Sequence, residues 1–399
     1  MHEKIDWRRN LFFIWLTQIL CMAGFSAAIP FVPVHIRDTW GITNEAELGA
    51  WMAAFTFFGM LSFCIFIPVW GALADRYGRK IMLLRAYYVD AALFPCMIFA
   101  TSPLGLIIVR FIVSAFTGTV SAAQTLIVTN TPEEHHGFAL GTLSTAIWSG
   151  NLLGFALGGV IMHYFGFRAA ILCCGGLFLL AGIIAQFFIH EEFVPPKPKE
   201  SRGLGSAWSG LSLAVWLSFF LILLTAVARR FDEPYVSLMI ERIHGPANTA
   251  LHTGWVSALA AFGGVLSGMV LGRLCDRFSP QRVTVPALLW AAVMSVLQGA
   301  ALTLGGYAIF RFVGFLATGG LEAGMLAILS KITSPERRGA VFGLASSIRM
   351  SGVLLSSLVS GGIIYCVGIR DIYYAAAVLF LLAIPFFWLT VWCVREETR

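Results

Sequence analysis

The chain has 399 residues, 58% of them hydrophobic and 12% charged, with a formal net charge of +6 and a mean hydropathy of +0.82. Ordinary soluble domains carry about a quarter charged residues, so the composition excludes that class and places the chain in a membrane. The positive balance is a matter of topology, as the loops show below, and implies no nucleic-acid partner.

Apolar runs of about 20 residues, each long enough to cross a hydrocarbon core of about 30 Å as a helix, recur along the whole length. Twelve spans are predicted, near 11–34, 50–70, 81–100, 104–128, 138–162, 168–189, 211–240, 253–272, 283–302, 306–330, 339–364 and 371–394. The first follows Arg8 and Arg9 and runs on through Pro30 and Pro33, which favours a retained helix over a cleaved leader. With the N-terminus inside, 17 Lys and Arg residues fall on the cytoplasmic side and 4 outside. The positive-inside rule then puts both termini in the cytoplasm of a multi-pass inner-membrane protein. The eight cysteines are scattered without metal-ligand spacing, so neither a metal nor a cofactor is expected. No nucleophile elbow, phosphate loop or dinucleotide fingerprint points to an enzyme.

The loop after the second span reads GALADRYGRK from Gly71, and the loop after the eighth reads GRLCDRFSPQR from Gly272. Gly, Leu, Asp and Arg recur at an offset of 201, which also relates Arg110-Phe111 to Arg311-Phe312. Six spans are therefore duplicated. An even number per repeat preserves orientation, so the halves are parallel repeats with a cavity expected between them. The predicted fold is an all-α integral membrane protein of twelve helices in two pseudo-symmetric six-helix bundles. The halves are 1–189 and 211–399, and residues 190–210, rich in Pro, Gly and charge, form a cytoplasmic tether.

These features resemble the major facilitator superfamily. The most specific likeness is the loop signature carried by Gly71, Leu73, Asp75, Arg76, Gly78, Arg79 and Lys80, with its degenerate copy at Gly272, Asp276 and Arg277. An acid near helix ends beside several bases suits a charge clasp that opens when the halves rock; the alternative is a positive-inside anchor. The resemblance implies that Asp75 faces the start of the eleventh span, near Gly339. In the fifth span Gly141, Gly150, Gly154, Gly158 and Gly159 resemble the superfamily's antiporter signature, except that Phe155 stands where the family has Pro. Glycines at such spacing also pack helices closely, as do Gly264, Gly268 and Gly272 of the eighth span, and packing between the halves is the first expectation for both sets. The strings IDWRRNL, PFVP and ALGTLST look like multidrug exporters of the MdtG type, in the drug:proton antiporter branch.

Ten ionisable side chains fall within spans: Arg85, Asp90, Arg110, Arg229, Arg230, Asp232, Glu233, Arg311, Glu322 and Arg349. A charge at the bilayer centre costs about 3 kcal/mol on insertion scales, so each is expected to be paired or to face a wet cavity. Arg85, one turn into its span, is expected to snorkel or to meet a helix end. Arg110 and Arg311 either snorkel or face the cavity. Depth counted along the helices brings Asp90 near Arg110, and Glu322 near Arg349. Glu322 is the leading proton carrier, with Asp90, Asp232 and Glu233 as further candidates, and a static Glu322–Arg349 salt bridge is the alternative. Arg229 is spaced to bond Asp232 and Glu233 along a continuous helix, leaving Arg230 on another face. Aligning Pro30 with Pro234, an offset of 204, puts all four charges in the outer half of the seventh span. In the resembled family that span lines the cavity.

Candidate cavity residues are thus Arg110, Arg229, Arg230, Asp232, Glu233, Arg311 and Arg349. Trp15, Trp51, Phe55, Tyr87, Trp148 and Trp255 supply aromatic wall or lipid packing. The leading function is proton-coupled export of small amphipathic molecules by an alternating-access monomer, whose partners are substrate, protons and membrane lipids. The alternatives are an exporter or flippase of one endogenous solute or lysolipid, and a nontransporting receptor or scaffold.

Overall fold

A computed structural model describes residues 6–191, 193, 211–277, 280–319, 321, 325, 329, 332–333 and 338–397. The described chain is helical, as expected where no water is present to satisfy free backbone groups. Among the described residues, ten helices are long and apolar enough to cross a membrane. One of these, Phe138–Phe188, is two helices meeting at Gly166, and the shorter apolar helix Leu304–Thr318 lies in the predicted tenth span; together they account for the twelve expected crossings.

The first span comprises α1 (Trp7–Ala28), a 3-10 turn at Ile29–Phe31 and α2 (Val32–Trp40). Asp6 caps α1, its carboxylate accepting from the amides of Arg8 (3.0 Å) and Arg9 (3.4 Å). Then come α3 (Glu45–Tyr77), α4 (Arg79–Leu93), α5 (Pro103–Phe116), α6 (Thr119–Asn130) and α7 (His136–Phe188). The second half runs through α8 (Leu213–Arg230), a 3-10 turn at Glu233–Tyr235, α9 (Val236–His244), α10 (Thr249–Arg277), α11 (Pro280–Ala300), α12 (Leu304–Thr318), α13 (Arg338–Cys366) and α14 (Asp371–Glu397).

The duplication extends to the helix irregularities. The 3-10 turns at Ile29-Pro30-Phe31 and Glu233-Pro234-Tyr235 interrupt the first and seventh spans at the offset of 204, because each proline removes a backbone donor and crowds the preceding turn. Helices α5 and α12 open on equivalent caps, with Ser102 Oγ accepting from Gly105 N (3.1 Å) and Thr303 Oγ1 from Gly306 N (3.2 Å).

The chain forms two compact units, one of residues Met1–Thr43, Ala54–Lys197 and Pro246–Ala261, the other of Asn44–Ala53, Pro198–Gly245 and Phe262–Arg399. In the first, α7 packs along α1 through a seam of small residues. A Cβ on Gly150 would lie 2.7 Å from Ile19 O, one on Gly154 2.4 Å from Ala23 O, and one on Gly158 2.4 Å from Ala27 Cα. These three glycines of the antiporter-like set thus join two helices of the same half rather than the two halves. Gly159 alone of the set meets the eighth span, at Gly254. In the second unit α8, α11 and α14 enclose a core that includes Phe219, Leu288, Phe380 and Phe387.

Candidate functional site

The fourth span is interrupted deep in its apolar run. Helix α5 ends at Phe116, Thr117 is extended, and Gly118 has φ 129° and ψ 26° before α6 begins. That positive φ suits glycine, whose lack of a Cβ removes the steric penalty. A break inside a membrane exposes carbonyls that need donors, and the neighbouring helices supply them. Trp70 Nε1 donates to Ala115 O (2.6 Å) and Arg85 Nη1 to Phe116 O (2.7 Å). The Arg85 guanidinium also lies 3.6 Å from the centre of the Trp70 ring. Its charge therefore meets the negative end of α5, the helix-end role expected for it.

The same break engages Asp90, which is fully buried on α4. Thr117 Oγ1 donates to Asp90 Oδ2 (2.9 Å), whereas Oδ1 has no hydrogen-bond partner. Next to Thr117 the polar atoms continue toward α1. Gln18 Nε2 donates to Tyr87 OH (2.7 Å) and Thr119 O (3.3 Å), and Cys21 Sγ lies 3.2 Å from Thr119 Oγ1.

Arg110 stands on α5 two turns before Thr117, the donor to Asp90, and it forms no ion pair with that carboxylate. The Arg110 guanidinium lies 5.2 Å from the Phe25 ring centre and 5.5 Å from that of Phe55. Its Nε and the hydroxyl of Ser114, one turn along α5, are both buried without a partner. Space for the side chain comes from Gly59 on α3, where a Cβ would stand 2.8 Å from Arg110 Nε.

The second half solves the same problem differently. Arg311 is buried on α12 and ion-paired with Asp232 at the break of the seventh span. It also donates to Tyr307 OH (3.5 Å), whose oxygen lies 2.7 Å from Tyr373 OH. The regular helix α8 ends at Arg230, just before the two acids. Asp232 turns to Arg311, and Glu233 pairs with Arg230 at half-exposed positions. Arg229 and Arg349 are half-buried. Glu322, and with it the expected approach to Arg349, lies outside the described residues.

At the first signature loop, Gly78 has φ 101° and precedes α4. The first two amides of α4 bind one carboxylate, Arg79 N donating to Glu191 Oε1 (3.0 Å) and Lys80 N to Oε2 (2.7 Å). Both attractions at a helix N-terminus, to free amides and to the dipole, act on this acid. His190 is joined to Asn10 through Asn10 Nδ2 to His190 O (2.8 Å) and His190 N to Asn10 Oδ1 (2.9 Å), while Asn130 Nδ2 also donates to that carbonyl (3.0 Å). The chain leaving α7 thus fastens the ends of α1, α4 and α6. Arg76 is exposed over Tyr77. The side chains of Asp75, Asp276 and Arg277, and those at the start of α13, lie outside the described ones. Gly71 and Gly141 face open space, and Gly272 falls on the backbone of α10.

Thr117, Phe25, Gln18 and the Tyr307–Tyr373 pair are site residues that sequence reasoning missed. Gly118 inside an apolar span is a weak signal for a break, since helices tolerate an isolated glycine and its repeat equivalent Gly319 stays helical, and Tyr307 precedes Arg311 by one helical turn.

Comparison with known proteins agrees with this architecture. The chain is 29% identical over 398 residues to the multidrug resistance protein MdtG of Rahnella sp. (strain Y9602), covering 99% of this chain and 96% of that protein. It is 30% identical over 377 residues to a multi-drug resistance efflux pump PmrA homolog of Lactococcus lactis subsp. lactis, with 91% of each covered. Among solved structures, a bacterial homolog of the human lysosomal transporter Spinster superposes with a TM-score of 0.78 at 17% identity, over 99% of both chains. The chain matches the Major Facilitator Superfamily over residues 14–239 and 219–399, and it belongs to that family of membrane transporters.

Proposed function

We propose that the protein exports small amphipathic molecules from the cell in exchange for protons. It acts as a monomer in the inner membrane with both termini cytoplasmic, its working halves being 1–189 and 211–399, joined by the tether 190–210. The names of its multidrug-resistance relatives support the substrate class. Proton coupling rests on one observation: Asp90 is a fully buried carboxyl with an ion partner nowhere among the described residues and with Oδ1 unbonded. A buried carboxylate without a counter-charge is costly, so such a group binds and releases a proton according to its surroundings. The other described acids are less suited. Asp232 is held by Arg311, and Glu233 is half exposed beside Arg230.

Alternating access then carries substrate and proton in opposite directions through the same protein. Asp90 holds the proton in one phase and yields it in the other. The antiporter-like glycines Gly150, Gly154 and Gly158 keep α7 against α1 during the exchange, and the loop Gly78-Arg79-Lys80, tied to Glu191, is part of the cytoplasmic clasp. The test is ethidium transport by proteoliposomes carrying an internal pH dye. Ethidium movement coupled to opposite proton movement in the wild type, with neither uphill transport nor dye response in Asp90→Asn, is the expected result. Uphill ethidium transport at the wild-type rate in Asp90→Asn would remove Asp90 from the role. Absence of flux for ethidium and for a panel of toxic amphiphiles would favour a receptor.

A further inference from the structure

The Arg110 side chain occupies an unusual position for a guanidinium at membrane depth. Five N–H donors are available, and the buried Nε has no acceptor among the described residues. The charge is held instead between the faces of Phe25 on α1 and Phe55 on α3. Two turns further along the same span, Thr117 donates to a buried carboxyl, Asp90, with one oxygen unbonded. A buried carboxyl with no ion partner among the described residues and an arginine held on ring faces in the same low-dielectric interior are reconciled if the carboxyl is carrying a proton.

We propose that Phe25 and Phe55 are positioning residues for the proton step: they hold Arg110 off Asp90 while Asp90 is protonated, and the guanidinium crosses to the carboxylate once the proton leaves. This rests on the assignment of Asp90 as the exchangeable acid.

The surroundings leave Arg110 as the moving charge. Arg85, on the same helix as Asp90, is committed to Phe116 O and to the Trp70 ring. Thr117, at the break between α5 and α6, already donates to Oδ2. From α1 the nearest titratable group is Cys21, bonded to Thr119, and from α7 it is Cys174. Tyr87 of α4 is held by Gln18. None of these brings a mobile cation. Arg110 is partly exposed and packs beside Gly59, which leaves room for its side chain.

The step is a simple proton release: the O–H bond of the Asp90 carboxyl breaks, its electron pair stays on the carboxylate, and the proton passes to water. Arg110 moves from two ring faces to an ionic hydrogen bond. The aromatic cradle is the counterweight, because a cation over a desolvated ring is stabilised enough to compete with a partner that is neutral but too weakly to compete with one that is charged.

The experiment follows the infrared band of the protonated carboxyl in substrate-free proteoliposomes against pH, with the Asp90 contribution identified by its loss in Asp90→Asn. In Phe25→Leu and Phe55→Leu the guanidinium is released toward Asp90 and stabilises its ionised form. The pH at which the band is half lost should then fall, by about one unit for the double variant, a tenfold loss of proton affinity. Arg110→Gln should move that pH upward, since the ionised form loses its partner. Phe55→Tyr, which keeps the ring, should restore the wild-type midpoint. An unmoved midpoint in a folded double Leu variant, or a shift in the same direction for the Leu and Arg110→Gln variants, overturns the positioning role. Absence of any Asp90-dependent titrating band overturns the assignment beneath it instead, so the two failures are distinct.

Discussion

Arg110 and Arg311 occupy equivalent places in a duplicated chain and yet have opposite surroundings. Arg311 has Asp232, the residue just before the 3-10 turn, and two tyrosines packed edge to face behind it. At the offset of 204 the residue matching Asp232 is Ala28, so Arg110 has no acid at the first-span break and rests on Phe25 and Phe55. The first half carries its acid elsewhere. Asp90 matches Ala291 at the offset of 201, a buried alanine on α11. The Thr-Gly pair is common to both halves, but its conformation is not. Thr318 bonds back to Gly314 O and Gly319 stays helical, whereas Thr117 turns to Asp90 and Gly118 takes a positive φ. One half has a charge fixed by a partner, the other a charge and a carboxyl left separate. Fixed pairs hold a structure in place, and separate ones are free to respond to a proton.

The sharpest way to break that contrast is to remove one member of the fixed pair. Arg311→Ala leaves Asp232 without its counter-charge in a largely buried site, and loss of one partner of a buried pair costs about 3–5 kcal/mol. The variant should melt far below the wild type in detergent. Replacing both residues by apolar ones of similar size should recover most of the loss, and equal melting of Arg311→Ala and wild type would deny that the pair is a structural fixture.

Gly118→Ala comes next. A side chain at φ 129° is strained by about 1–3 kcal/mol, and relief by closing α5 onto α6 would withdraw Thr117 from Asp90. The expected result is a lower melting temperature together with weakened proton coupling; unchanged coupling at a lowered melting temperature would mean that the break serves only packing. Asp90→Asn should be milder still on the fold. It keeps an acceptor for Thr117 and removes an ionisable group from the interior, so stability should stay within about 1 kcal/mol of wild type while pH-driven transport is lost. Severe destabilisation by Asp90→Asn would class Asp90 with Asp232 as a structural acid.

Much of this organisation was legible in the residues. Span number and duplication follow from apolar run length and the offset of 201, because bilayer thickness acts on any sequence in the same way. Depth also placed Asp90 close to Arg110. Depth counts do not give rotation about the helix axis, however, and rotation decided that Arg110 turns to aromatic rings. The pairing of Asp232 was hidden for a related reason. Helical spacing looked only along the seventh span, toward Arg229, whereas the ion pair with Arg311 comes from another helix, which spacing within one span does not reveal. Glycine spacing in the fifth span identified a packing seam, while the partner, α1, came from tertiary structure alone.

The smallest effect is expected at Glu233, the residue that separates a charge pair of convenience from a coupling site. Its carboxylate meets Arg230 one turn earlier, both side chains about half exposed at 49%. Exposed pairs contribute about 0–1 kcal/mol, since water and salt screen the attraction and two long side chains lose freedom. Glu233→Gln keeps the shape and a hydrogen bond to Arg230 while removing the charge. Its melting temperature should therefore match the wild type within about 0.5 kcal/mol of stability. Ethidium affinity should change by no more than a few fold, because a screened charge near a mouth biases approach more than it holds a bound molecule. The number of protons moved per ethidium should stay the same, whereas a carrier acid replaced by an amide has no proton to give. Loss of pH-driven transport in Glu233→Gln, with Asp90→Asn retaining it, would transfer the coupling role from the first half to the seventh span and reverse the contrast between the two arginines.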